Sequence, residues 1–234
     1  MKSSVFKNFL FWWASEGLGK KSTEDVYNSL SVDNVYDKTV DYQDRLQSLK
    51  RVLTELNRNY KSVLDLACGT GVFVEAINPS KFERVVGVDL SEGMLRVAKK
   101  RLNKYKNITF IKSSFMDIDF AKNQFDLILM SNASRFIAQD REDEFFKKVK
   151  KWLTDDGVFL IQGDYVKSDS FMKYFEPIFK KIISKRNYNF NTLTSSGLQR
   201  QLVKYFDIYN TVDLLHRRKY VVKHRMFFCK KKAI

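Results

Sequence analysis

The chain has 234 residues, of which 44% are hydrophobic, 29% charged and 15% aromatic, with only two prolines; it can fill one sizeable core and is neither disordered nor collagen-like. Lysine and arginine number 42 against 27 acids, a net charge of +15 that bears on partners and solubility rather than on fold. Two cysteines, Cys68 and Cys229, and two histidines, His216 and His224, supply neither a disulfide framework nor a metal site, so the compartment reads as reducing and cytoplasmic.

In chain order, residues 1–14 carry Phe6, Phe9, Leu10 and Trp13 at helical spacing, but Lys7 and Asn8 interrupt the apolar run. It is too short for a membrane span, no small-residue cleavage site follows, and neither a signal peptide nor a transmembrane segment is predicted. Gln43–Asn57 reads as an amphipathic helix on Leu46, Leu49, Val52, Leu53 and Leu56. Short β-branched runs then predict strands at Ser62–Leu66, Arg84–Asp89, Ile108–Lys112, Phe125–Met130 and Val158–Gln162. Helical spacing fills the gaps at Gly71–Ile77, Gly93–Tyr105 and Glu142–Leu153. This alternation is the pattern of a parallel sheet covered on both faces.

After the fifth strand a helical insertion is predicted over Asp169–Ser184, with a kink or break at Pro177, which lacks an amide donor. A helix at Gly197–Tyr205 leads into Phe206–Leu215 and Tyr220–Lys230, which read as an antiparallel hairpin around the basic turn His216–Lys219. The charge is concentrated here, with 16 basic and 4 acidic side chains in residues 165–234 against 26 and 23 in residues 1–164. No Pro/Gly/Ser-rich linker is visible, and one domain over 1–234 is expected.

The stretch that carries chemistry is VLDLACGTG at 63–71, a buried strand ending in an acid and running through a glycine turn into a helix. Gly69 and Gly71 free the backbone to turn tightly and to approach a ligand. Asp89 stands at the end of the next strand, in VVGVDLS, where a carboxylate can accept both hydroxyls of a ribose.

On these residues the chain resembles the class I S-adenosylmethionine-dependent methyltransferases, over a stretch from about Tyr36 to Gln162 and more loosely through the terminal hairpin. The turn is one residue short of the dinucleotide pattern G-x-G-x-x-G, which argues against a dehydrogenase. The resemblance implies an α/β Rossmann-like, seven-stranded, mostly parallel sheet with helices on both faces and a C-terminal antiparallel hairpin. It implies a lid over residues 1–45, a cofactor-binding core over 46–164 and a substrate side over 165–234.

It further implies that Asp65, Ala67, Gly69, Thr70 and Gly71 line the methionine end of S-adenosylmethionine, that Asp89 holds the ribose, and that Leu90 and Met94 pack near the adenine. The family commonly has an acid after the third strand to meet the adenine amino group; SSFMD at 113–117 puts Ser114 there, with Phe115, Met116 and Asp117 following. Met130, Ser131 and Asn132, after the fourth strand, would sit beside the sulfonium. Many small-molecule members carry a histidine near 135, where this chain has Arg135 and Phe136, so a histidine mechanism at that loop is not supported. VYDKTVDYQDR at 35–45 is similar to their lid, with Tyr36 closing over the cofactor and Arg45 meeting its carboxylate.

Ligands of open α/β sheets bind at the carboxyl ends of the parallel strands. Asp164 and Tyr165 after the fifth strand, the 131–140 loop, and the basic turn after the sixth strand should share that rim. Asn132, Asp164, Tyr165 and His216 are therefore the candidate catalytic groups able to orient or deprotonate an acceptor. The leading expectation is methyl transfer to O or N of a small molecule, an anionic one being suggested by the basic turn. RNA is an alternative partner for the basic C-terminal third, though no N-P-P-Y type motif or separate RNA module is present. A non-catalytic binding protein of the same fold is the third reading.

Overall fold

In the computed structural model, which describes residues 22–39, 50, 59–166, 194–214 and 222–232, the β-branched runs form strands β1 (Ser62–Leu66), β2 (Arg84–Asp89), β3 (Ile108–Lys112) and β4 (Phe125–Ser131). β1 lies between β2 and β4, with β3 outside β2, all in parallel. β5 (Leu153–Val166) continues the parallel set beside β4. β7 (Val222–Lys231) pairs antiparallel with both β5 and the edge strand β6 (Phe206–Leu214). The order β3-β2-β1-β4-β5-β7-β6 is the expected seven-stranded, mostly parallel sheet closed by an antiparallel pair. Two reversals return β6 to the direction of β1–β5, so Leu214 and His224, which are paired, lie at the carboxyl rim.

β5 is much longer than the expected Val158–Gln162. Val158 to Val166 pair residue by residue with β7, and this distant partner satisfies backbone groups that a local pattern leaves as loop. Before it, Leu153 pairs with Phe125 ahead of a bulge. The expected helix at 43–57 is described only at residue 50, and the insertion at 169–184 and the turn at 216–219 lie outside the described residues.

The helices are α1 (Thr23–Ser31), α2 (Val35–Thr39), α3 (Val72–Ala76), α4 (Glu92–Arg101), α5 (Glu142–Trp152) and α6 (Ser195–Tyr205). Side-chain oxygens start three of them: Ser22 caps α1 in a reciprocal box with Asp25, Ser91 Oγ accepts from Met94 N, and Thr194 Oγ1 accepts from Gly197 N. Each face of the sheet buries its own cluster. Leu64, Leu66, Ile128, Phe159 and Ile161 pack with Phe145, Phe146 and Trp152 of α5 and with Leu198 and Leu202 of α6. Val63, Val85, Leu129 and Leu160 pack on the other face with Val74 of α3 and with Leu102.

The amino rim of the sheet is tied together by Asp126. Its Oδ2 accepts from the backbone N–H groups of Lys61 and Ser62, both at 2.9 Å, and from Ser62 Oγ; its Oδ1 accepts from Thr154 Oγ1 at 3.2 Å. Partial burial pushes this carboxyl up, yet the hydrogen bonds outweigh it and hold the group below its usual range. The carboxyl rim is built very differently.

Candidate active site

β1 ends in Asp65 and Leu66, and the chain reverses through left-handed Ala67 (φ 58°), Gly69 (φ 55°) and Gly71 (φ 77°). Cys68 N donates to Val88 O and Gly71 N to Cys68 O, both at 2.9 Å, which pins the turn against β2. A Cβ on Gly69 would meet nothing within 4 Å, so open space lies beside this backbone. A Cβ on Gly71 would stand 2.9 Å from Leu102 Cδ1 and 3.1 Å from Ala98 Cβ, so this glycine serves the close packing of the turn on α4 and the residue after it.

Asp89 closes β2 and holds the turn from its other side. Its Oδ2 accepts from Gly69 N at 2.8 Å and its Oδ1 from Ser91 N at 2.9 Å. Burial pushes its carboxyl above the usual range, opposed by the N–H groups of Ser91, Gly69 and Leu90. Asp65 is wholly buried, and neither of its carboxylate oxygens has a hydrogen-bond partner. Burial and then the Asp89 charge raise its carboxyl well above the ordinary value. The same two causes, with Asp65 added, push the Cys68 thiol up.

The segment 22–39 docks over this end of the sheet, with Glu24 pairing with Lys112 at 2.9 Å and three further contacts nearer the turn. Asn28 Oδ1 accepts from Ser91 Oγ (2.7 Å) and Gly93 N (2.9 Å). Gly93 is where the two helices meet most closely, since a Cβ there would lie 2.3 Å from Ser31 Oγ. Asp37 accepts from Thr70 Oγ1 at 2.7 Å and pairs with Arg101, which also binds Glu75 at 3.1 Å. Tyr27 OH accepts from Arg135 Nη2 at 3.1 Å, while the Tyr27 ring meets Tyr36 and Phe136 edge-on.

Beneath this cover lies a solvent-open cleft of ≈ 470 Å³, lined by Tyr36, Asp37, Ala67, Gly69, Thr70, Ser131 and Asn132. Thus Tyr36, Ala67, Gly69, Thr70, Ser131 and Asn132, far apart in sequence, come together. A smaller recess of ≈ 170 Å³ shares Ser131 and Phe73 with it and is lined also by Met130 and Gln162. Asn132 is left-handed (φ 54°), donates its N–H to Gln162 O at 2.8 Å and accepts from Arg135 Nη1 at its own carbonyl.

The other expected residues fall around this centre. Leu90 is 37% exposed beside Asp89, while Met94 is buried under it in α4. Ser114 Oγ accepts from Met116 N, and Phe115 and Met116 are buried in the core. Met116 O accepts from Arg141 and Lys148, and Asp117 pairs with Arg141 at 2.8 Å. Asp164 and Tyr165 lie within β5 rather than after it, in register with His224 and Lys223, and the Tyr165 ring is buried against Phe227. Arg45 and His216 lie outside the described residues. Among the described residues, no group of three or more His, Cys, Asp or Glu could hold a metal ion, and no helix is long and apolar enough to cross a membrane.

Sequence reasoning missed Asn28, Asp37 and Gln162. Two signals were present: a glycine at 93 in the first turn of a helix, where it weakens the helix unless something packs there, and a glutamine ending the otherwise apolar run VFLIQ.

Residues 63–157 match the family model of a methyltransferase domain. The phosphoethanolamine N-methyltransferase of Plasmodium falciparum is 29% identical over 150 residues, covering 63% of this chain and 55% of that protein. The demethylmenaquinone methyltransferase of Lactococcus lactis is 33% identical over 133 residues, covering 50% of this chain and 49% of that protein. This chain therefore spans about half the length of these curated relatives. Among solved structures, the N-methyltransferase NodS of Bradyrhizobium japonicum in complex with S-adenosylhomocysteine superposes with a TM-score of 0.69 at 13% identity, covering 91% of this chain and 100% of that one, a likeness of fold. With the glycine turn, Asp89 and the strand order in hand, residues 63–157 match a methyltransferase domain, and the chain is similar to methyltransferases in sequence and to S-adenosylmethionine-dependent ones in fold.

Proposed function

We propose that the chain transfers a methyl group from S-adenosylmethionine to a nitrogen or oxygen of a small-molecule acceptor. The observation that carries this reading is the cradle at the carboxyl rim, where the open backbone of Gly69 is bonded to the Asp89 carboxylate under a docked N-terminal segment, with the unpartnered Asp65 carboxylate buried near the end of β1. Their chemistry fits the cofactor: a buried carboxylate without donors suits an ammonium, and Asp89, with one N–H on each oxygen, keeps lone pairs for two ribose hydroxyls. When bound, the cofactor supplies a methyl group already activated by a positively charged sulfur.

The protein's task is then to hold and exclude. Asp65, Ala67, Gly69, Thr70 and Gly71 would take the methionine end, Arg45 would meet its carboxylate, and Leu90, Met94, Ser114, Phe115 and Met116 would hold the adenine. Met130 and Ser131 would lie on the sulfur side of the bound cofactor, with Tyr36 as its cover. Asn132, Asp164, Tyr165 and His216 belong to the acceptor side. Rate comes chiefly from holding the acceptor in line, with a base needed only for an acceptor that must first lose a proton. The enclosing segment 22–39 and the small-molecule names of the relatives support a metabolite acceptor. Cys68 and Cys229, buried and unpaired, support a reducing cytoplasmic setting. Calorimetry with S-adenosylhomocysteine is the test: saturable binding that Asp89→Ala abolishes is expected, and unchanged affinity in the folded variant would place the site elsewhere.

A further inference from the structure

We infer that Tyr27 is a positioning residue for methyl transfer: seated in α1, it holds Asn132 in place through Arg135 and Tyr36 through its ring. The inference rests on the methyl-transfer reading above, in which Asn132 belongs to the acceptor side, and it gives that side a support outside the sheet. Tyr27 OH accepts from Arg135 Nη2 at 3.1 Å, and the same guanidinium donates through Nη1 to Asn132 O at 2.8 Å. The Tyr27 ring meets that of Tyr36 edge-on, with centroids 6.1 Å apart. Asn132 and Tyr36 both line the cleft, so one side chain of α1 reaches two of its lining residues by separate routes.

The Asn132 backbone needs support on both sides. Its φ of 54° is left-handed, a conformation that asparagine tolerates and that persists where the surroundings fix it. On the amino side its N–H is bonded to Gln162 O at the end of β5; on the carboxyl side its C=O is bonded to Arg135. A guanidinium is a planar fork whose donors point in fixed directions, so its position decides that of the carbonyl. Arg135 is itself held by Tyr27 OH at Nη2 and by the Phe136 ring, whose centroid lies 4.6 Å from Cζ. Tyr27 supports that ring as well, meeting it edge-on at 6.0 Å.

Neighbouring residues of α1 join the two halves of the site. Asn28 fastens the helix to Ser91 and Gly93, and Ser91 in turn donates its N–H to Asp89; Tyr27 fastens it to the loop after β4. Seating α1 on the cofactor side therefore brings Tyr27 to Arg135, and the acceptor side is complete when α1 is in place. Tyr27 acts through Arg135 and Tyr36 rather than on the reacting atoms. Methyl transfer is sensitive to such support, because a misplacement of about 1 Å can cost about a hundredfold in rate.

Tyr27→Phe removes the hydroxyl and keeps the ring against Tyr36 and Phe136. In the S-adenosylhomocysteine-bound protein, the amides of Asn132 and Phe136, bonded to Gln162 O and Ala133 O, should then exchange about tenfold faster, the effect of losing one hydrogen bond to a charged group. Exchange in β1–β3 and S-adenosylhomocysteine affinity by calorimetry should not change. With isotope-labelled S-adenosylmethionine and a dilution series of a small-molecule extract of the source cells, kcat/KM for label transfer should fall by a similar factor. Tyr27→Phe added to Arg135→Leu should cost nothing further, because both break the same link. Unchanged exchange at Asn132 and Phe136, additive losses in the double variant, or cofactor-product affinity falling as far as turnover would overturn the positioning role and leave the methyltransferase reading standing. No label transfer by the wild type, with no S-adenosylhomocysteine bound, would remove both.

Discussion

Asp37→Asn tests whether the N-terminal segment is latched over the cofactor turn by charge. Asp37 and Arg101 are 14% and 18% exposed, so their pair is only partly screened, and the substitution preserves shape and an acceptor for Thr70 while deleting the charge and turning an amide NH₂ toward Arg101, which loses its acceptor there. A hydrogen bond to a charged group contributes about 1.5–3 kcal/mol, and with no acceptor left for Arg101 at this position the loss is about 1.5 kcal/mol or more. Arg101 keeps Glu75, but that side chain is 42% exposed and returns little. Since about 1.4 kcal/mol is a factor of ten, the docked-to-undocked ratio of residues 22–39 should fall about tenfold or more. Amide hydrogen exchange reads this directly, as lost protection confined to α1 and α2. Affinity for S-adenosylhomocysteine should fall less, because it follows only the docked fraction. Equal loss of protection across β1–β5, or no loss anywhere, would refute the latch.

Two more substitutions follow from the turn itself. The Asp65 carboxyl is raised in the folded protein, so its contribution to stability is complete below the unfolded value of 3.8 and is lost as pH rises through the folded pKa. Asp65→Asn should therefore make the ligand-free protein more stable at neutral pH, with the gap closing toward pH 3.8, while binding S-adenosylhomocysteine more weakly; thermal melts at a constant offset across the pH series would contradict this. Ala67 holds a left-handed φ of 58° that a Cβ disfavours. Ala67→Gly relieves about 1–2 kcal/mol of that strain and gives back about 0.4–1 in unfolded-chain entropy, a net gain near 0.5–1 kcal/mol in urea melts, and a net loss would mean that the turn is not strained there.

Legibility in the sequence followed the range of the interactions. β1, β2 and β3 begin and end at Ser62–Leu66, Arg84–Asp89 and Ile108–Lys112 as their apolar patterns predict, because flanking turns bound them locally. The long β5 was hidden, since its last residues are ordered by β7, some sixty residues away. In the site, Gly69 and Asp89 were readable because turn and acid recur at fixed places in a strand–turn–helix unit. Asp37 and Asn28 were not, for their partners Thr70 and Ser91 are brought near only by the docking of α1 and α2. Gln162 was overlooked because a lone amide in a strand carries no periodic signal.

The four hydrogen bonds gathered by Asp126 at the amino rim have a meaning for how such a protein can change. They fasten the central strands at the end farthest from the cleft, through groups that no ligand in the cleft would touch. A lineage can then exchange the residues after β4 and β5, and with them the preferred acceptor, while the sheet keeps its register. Evolvability of the acceptor end is, in this view, a property conferred by a carboxylate that never meets a substrate.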